Sequence, residues 1–154
     1  MKLSTRGRYG VLAMFDIAMY GGEEPVSINT IAEREGLSES YLEQLMGHLR
    51  RAGLVTSTRG AGGGYRLVKP AESISVGDII RVLEGPIAPV DCVAKNLPED
   101  FEHCANSNAC VTRKVWARLR DSMVSVLDSI SLADLMADSE AEVEAQAEAR
   151  TEDL

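Results

Sequence analysis

The feature that most restricts how this chain can fold is the run over residues 27–67, SINTIAEREGLSESYLEQLMGHLRRAGLVTSTRGAGGGYRL. Its apolar rhythm predicts a short helix, a tight turn, a longer helix and a glycine-tipped hairpin. Ile28, Ile31 and Ala32 share a face of the first helix, Gly36 breaks it, Leu37 plugs the turn and Ser38 stands where it can cap the next helix. This is the spacing of a helix-turn-helix. In the second helix Tyr41, Leu42, Leu45, Leu49 and Ala52 fall on one face, which leaves Ser40, Glu43, Gln44, Arg50 and Arg51 on another. Those side chains can meet DNA base edges and phosphates. Gly53 closes the helix, and residues 54–57 and 65–68 read as strands flanking TRGAGGG, a wing with Arg59 and Gly60 near its tip.

Charge supports the same reading. Residues 44–71 contain no acid, while Arg50, Arg51, Arg59, Arg66 and Lys69 all lie within them. With a net charge of -8 the chain as a whole is not built to hold nucleic acid, so the binding surface has to be a local patch. A solvated helix face beside a flexible loop is the plainer alternative. The order of helix, turn, capped helix and basic hairpin argues against it.

A chain of 154 residues holds one sizeable domain, or a small domain and an arm. Arg6 and Arg8 interrupt what would have to be a secretory signal, and Asp16 splits the apolar stretch 11–20, so a cytoplasmic protein is expected. No segment approaches the roughly 20 apolar residues of a membrane span. Ser4 or Thr5 can cap a first helix with Val11, Leu12, Phe15, Ala18 and Met19 on its apolar side, ended by Gly21 and Gly22. Lys2, Arg6 and Arg8 at its start fit either added phosphate contacts or a solvated terminus. After Pro70, Ser75 can cap a helix carrying Val76, Ile79, Ile80 and Leu83 inward, stopped by Gly85 and Pro86.

Residues 87–108 then form an irregular loop, long enough to suggest function or an ordering ligand. Helical rhythm returns over 111–130, where Val115, Trp116, Leu119, Met123, Val126, Leu127 and Ile130 make an apolar stripe. Such a helix has to bury its stripe against the chain's own core or against the same helix of a second subunit. The dimer is preferred, because paired readers address two-fold operators. Residues 139–154 hold six acids against Arg150 alone and read as a frayed or disordered acidic tail.

Three cysteines, Cys92, Cys104 and Cys110, argue against a disulfide framework and leave metal binding, redox chemistry or plain burial. Soft thiolates suit iron-sulfur clusters and zinc, but a cluster normally takes four ligands and no CxxC pair is present. His103 is the nearest imidazole and the first choice for a fourth ligand. Asp91, Glu99, Asp100, Glu102 or a group from a partner subunit are alternatives, and His48 falls in the recognition helix.

MKLSTRGRYG at the start, SYLEQL in the recognition helix, RGAGGGYRL in the wing and the cysteines leading into CVTRKVW resemble the iron-sulfur cluster regulator (IscR) family of winged-helix transcription factors, over residues 1–137. The resemblance implies a homodimer on double-stranded promoter DNA, often a repressor, sensing iron-sulfur status, iron, nitric oxide or redox stress through a cluster on the three cysteines. A [2Fe-2S] cluster is expected ahead of a [4Fe-4S] one. By position, Ser38, Ser40, Glu43 and Gln44 would lie at base edges or nearby phosphates, and Arg59 would enter the minor groove. Where members place a ligating histidine three residues after the last cysteine, this chain has Arg113, and where others place an acid near the start of the first helix it has Arg8.

The expected architecture is therefore mainly α with a small β-hairpin wing. It divides into a winged helix-turn-helix domain over 1–85, a cysteine-bearing loop over 86–110, a long dimerisation helix with a short following helix over 111–137, and an acidic tail over 138–154. The expected function is a cluster-controlled DNA-binding regulator. Alternatives are a cluster-free regulator switched by its thiols, or a metalloenzyme or cluster-assembly accessory. For an enzyme, however, no acid-base pair, nucleophile-histidine pairing or phosphate loop is apparent.

Overall fold

The computed structural model describes residues 2–100, 102, 104–106 and 108–152. Helix α1 (Thr5–Tyr20) runs into the helix-turn-helix pair α2 (Ile28–Glu35) and α3 (Glu39–Arg51), followed by strands β1 (Val55–Thr58) and β2 (Gly64–Leu67). Helix α4 (Val76–Glu84), a loop with one 3-10 turn at Asp91–Val93, and helices α5 (Arg113–Ser129) and α6 (Leu132–Glu152) complete the chain. The mainly helical winged architecture is as the pattern predicts.

Serines start the reader helices. Ser4, Ser27, Ser38 and Ser75 each accept a backbone N–H with the side chain, and Ser75 with Asp78 closes a reciprocal capping box. Gly36 ends α2 in the left-handed region at φ 65°. Leu42, Leu45, Met46 and Leu49 of α3 are buried against Ala13, Met14 and Ile17 of α1, Ile31 of α2 and Ile79 and Leu83 of α4. Ala52, expected on that apolar face, is exposed at the helix end.

On α1 the deep face is Gly7, Gly10, Ala13, Met14 and Ile17, one step round from the predicted stripe. Val11, Phe15 and Ala18 are only partly buried and Leu12 is exposed. The reason is close packing on α4. A Cβ at Gly10 would collide with Leu83 Cδ1, so glycine lets the helices approach where a larger residue would hold them apart. Asp16, read as a break in the apolar run, is 1% exposed and receives two hydrogen bonds of 2.7 Å from Arg34, whose guanidinium also lies 4.0 Å from the Tyr20 ring centroid. This pair ties α2 to α1.

The hairpin pairs Val55 with Leu67 through Thr58 with Gly64. Tyr65 also exchanges both backbone hydrogen bonds with Val26, at 2.9 and 2.8 Å, so the segment before α2 acts as a third edge for the wing. The site of this exchange is why Gly64, at φ 154°, has no room for a side chain: a Cβ there would meet the Val26 backbone.

Two expectations about the C-terminal part differ from the structure. The reader's core is not closed by residue 85, because Leu132 is fully buried in it, Leu135 packs on it and Ser75 bridges Ser131. Nor is α6 a short helix trailing a disordered tail: it runs to Glu152. Ser131 and Asp134 cap it reciprocally, and its first turns dock on α1. Beyond the last contact the alanines and glutamates propagate an already nucleated helix, an outcome that their acidity hid in the sequence.

Helix α5 has no buried residue. Leu119, Met123 and Leu127 are half-buried along a groove that Ile80, Ile87 and Leu3 also line, whereas Val115 and Val126, at 55% and 57% exposed, face outward with Trp116. Arg81 grips Asp128 with two hydrogen bonds of 2.7 and 2.8 Å and so pins α5 to α4. That pairing holds the Asp128 carboxyl below the usual carboxylate range.

Candidate DNA interface and cysteine loop

The helix-turn-helix presents α3 with one side sunk in the core and the other open. Ser38, Ser40, Glu43, Gln44, Arg50 and Arg51 are all exposed. Ser38 spends its hydroxyl on the Tyr41 amide at 3.2 Å, so its role in the free protein is a cap. Tyr41 is half-buried, its ring edge-on to Tyr9 of α1 at 6.1 Å between centroids. Arg50 donates to Ser57 at 3.2 Å and joins the end of α3 to the wing. Arg59 and Gly60 are exposed at the tip, where Gly60 at φ 95° and Gly62 at φ 79° make a turn that side chains disfavour. Among the described residues no acid pairs with Arg6, Arg8, Arg50, Arg51, Arg59 or Arg66. These arginines form a cationic rim around the polar stripe of Ser40, Glu43 and Gln44.

From the sequence, His48 of the recognition helix is expected either near DNA or in a half-buried packing role. In the fold it sits between two arginines, with Arg6 Nη2 3.0 Å from Nε2 and Arg51 Nη2 3.1 Å from Nδ1. Only the meeting of α1 and α3 reveals this, since Arg6 and His48 are 42 residues apart.

The cysteines lie in the segment between α4 and α5. Cys92 is half-buried within the 3-10 turn, Cys104 is exposed and Cys110 is half-buried just before α5, all as free thiols. Among the described residues no three histidine, cysteine or acidic side chains gather as a metal site, so the loop does not bring its thiols together by itself. His103 lies outside the described residues. The donor set is chemically suited to a soft metal. The Thr112 hydroxyl, 3.2 Å from Cys110 Sγ, and the amides of Arg113 and Thr112 hold that thiol below its usual range, helped by the Arg113 charge.

Two arginines of α5 hold the Cys92 turn by its backbone. Arg113 donates to the Cys92 carbonyl at 3.3 Å, and Arg120 to the Val93 carbonyl at 2.7 Å. Val93 is buried beneath them. The loop's first cysteine is thus mechanically joined to the helix that leaves the domain. The sequence marks Arg113 only as the residue standing where a ligating histidine could be and does not mark Arg120, because a cation on a helix is commonplace until its acceptor is known.

Reader helix and arginine-tipped wing together form a winged helix-turn-helix, the architecture of DNA-binding regulators. The chain belongs to the Rrf2 family: the family model described as an iron-dependent transcriptional regulator matches residues 3–138. It is 48% identical over 135 residues to the HTH-type transcriptional regulator CymR of Bacillus subtilis, covering 88% of this chain and 89% of that protein. It is 44% identical over 140 residues to the HTH-type transcriptional regulator IscR of Aliivibrio salmonicida, covering 91% and 80%. Among solved structures it superposes on T. potens IscR with a TM-score of 0.73 and 51% identity, covering 92% of this chain and 90% of that one. The structure of the global cysteine regulator CymR of B. subtilis gives a TM-score of 0.71 at 48% identity, covering 89% and 97%. The likeness to IscR expected from the sequence is thereby established. Among the described residues no helix is long and apolar enough to cross a membrane.

Proposed function

We propose that the chain acts as a homodimeric repressor whose affinity for promoter DNA follows the state of an iron-sulfur cluster on Cys92, Cys104 and Cys110. What carries the reading is the connection of the cysteine loop to α5 through Arg113 and Arg120, and of α5 to the reader through Arg81 and Asp128. A change at the cysteines alters how α5 is held, and two readers joined along α5 change their spacing with it. A switch needs only that the two states differ in affinity for DNA.

In the bound state Ser40, Glu43 and Gln44 meet base edges in the major groove, with Ser38 and Tyr41 at the start of the helix. Arg50 and Arg51 contact phosphates, and Arg59 with Gly60 reaches the minor groove. Gln44 suits adenine and Glu43 suits cytosine. In this division residues 1–85 read, with Leu132 and Leu135 of α6 completing their core, 86–110 sense and α5 pairs the subunits. The uncovered apolar edge of Val115, Trp116 and Val126 supports the last role. When bound, a cluster supplies redox- and iron-responsive thiolate chemistry. The [2Fe-2S] form is preferred, with His103 or an acid of the loop as fourth ligand, since Arg113 is committed to the Cys92 carbonyl.

Anaerobic purification with absorption spectra and iron and sulfide analysis tests the cluster, and a promoter footprint with and without it tests the switch. A colourless, metal-free protein under those conditions removes the cluster. The second reading then takes over: a regulator switched by its thiols, supported by three free cysteines and by the likeness to a protein described as a global cysteine regulator. Its mark is a reversible disulfide or sulfenate, seen by mass spectrometry, that changes DNA affinity.

A further inference from the structure

The geometry points to a backbone-phosphate clamp formed by Arg6, His48 and Arg51, on the rim of the interface and apart from the base-reading stripe; it rests on α3 lying in the major groove. A neutral imidazole has one acceptor nitrogen and one N–H, and a guanidinium has donors only. Both ring nitrogens of His48 nevertheless face a guanidinium, at 3.0 and 3.1 Å. At most one of these contacts is a hydrogen bond. The other sets an N–H against an N–H, with no acceptor between them. Protonating the ring makes both contacts donor against donor. The cluster lacks an anionic oxygen, and a phosphate diester supplies two.

Among the described residues no carboxylate forms an ion pair with Arg6, His48 or Arg51. On α4, Glu84 accepts from Ser4 and from the Gly7 amide, Asp78 accepts from the Ser75 amide, and Arg81 faces Asp128. Placement matches as well. His48 and Arg51 continue the stripe of Ser40 and Gln44 toward the C-terminus of α3. At 1.5 Å per residue they stand roughly 6 and 10 Å beyond Gln44. Arg6 reaches the same point from α1, so one phosphate links the first helix to the reader.

The test measures affinity by fluorescence anisotropy over a range of KCl, using a duplex enriched from a random pool by the wild-type chain and an unselected duplex of the same length. Arg6→Gln and Arg51→Gln should each weaken both duplexes by the same factor, on the order of tenfold, and flatten the log-log salt slope by about 0.9 per lost phosphate contact. Arg6→Lys restores the slope. His48→Gln, which keeps a donor and an acceptor, stays near wild type, whereas His48→Leu behaves like Arg6→Gln.

Gln44→Ala and Arg59→Gln serve as the parallel arm. If those two weaken binding while Arg6→Gln and Arg51→Gln leave affinity and slope unchanged, the clamp is wrong and the reader stands. A loss confined to the selected duplex also overturns it, because the arginines would then read bases. If the arginine variants act as expected and Gln44→Ala and Arg59→Gln are silent, the clamp holds and the base-reading assignment fails.

Discussion

Removing the Arg34 guanidinium leaves the Asp16 carboxylate in the interior with no cation to face it. Truncating one partner of a buried pair costs more than the pair contributes, because the remaining charge stays desolvated. Arg34→Met should therefore destabilise the fold by about 3 kcal/mol, a fall of roughly 6–12 °C in thermal midpoint for a chain of this size. The double variant Asp16→Leu with Arg34→Met should recover most of that loss, and melting curves of the three proteins check both statements. Gly10→Leu should destabilise further, because its side chain would occupy the place of Leu83. Neither position is legible in the sequence. Asp16 looks like an interruption of an apolar run, and Gly10 like a weak point in a helix, until the partner element is known.

At the scale of elements, the sequence states most where one face of a helix must be apolar. Helices α2, α3 and α4 and the wing follow their patterns within a residue or so, since their caps and turn glycines are local signals. What it hides depends on another element. The deep face of α1 is set by α4, the third edge of the wing comes from Val26, and α6 is helical despite its acids because its start is docked. Of the candidate site, the exposed stripe of α3 and the wing arginine are visible in sequence. The hold of Arg113 and Arg120 on the Cys92 turn is not, because their acceptors are backbone carbonyls at separations of 21 and 27 residues.

Arg120→Met should free the Cys92 turn without unfolding the domain. Faster amide hydrogen exchange over residues 91–95, with the rest of the protection pattern kept, is the expected readout. The Arg81–Asp128 pair gives a pH dependence of known sign. Asp128 titrates below its unfolded value near 3.9, so its contribution is present above that pH and is lost as pH falls through the lowered value. The pair is partly exposed, so its contribution is under about 1 kcal/mol. Asp128→Asn should thus lower the urea midpoint slightly at pH 7, and that deficit should shrink as pH falls through the lowered value.

For the whole molecule, α5 is the element that the single chain does not bury. If α5 is the seam of the proposed homodimer, Val126→Glu should break that dimer, with sedimentation showing half the mass of the wild type, and should weaken operator binding far more than it weakens binding of one half-site. Hydroxyl-radical footprinting of the promoter tests the reader and its pairing together. The wild-type chain should protect two patches related by a two-fold axis and separated by about one helical turn or a multiple of it, and the double variant Gln44→Ala with Arg59→Glu should lose both. Protection unchanged in that variant would contradict α3 and the wing as the DNA-binding surface, and a single unpaired patch would contradict the pairing of two readers along α5.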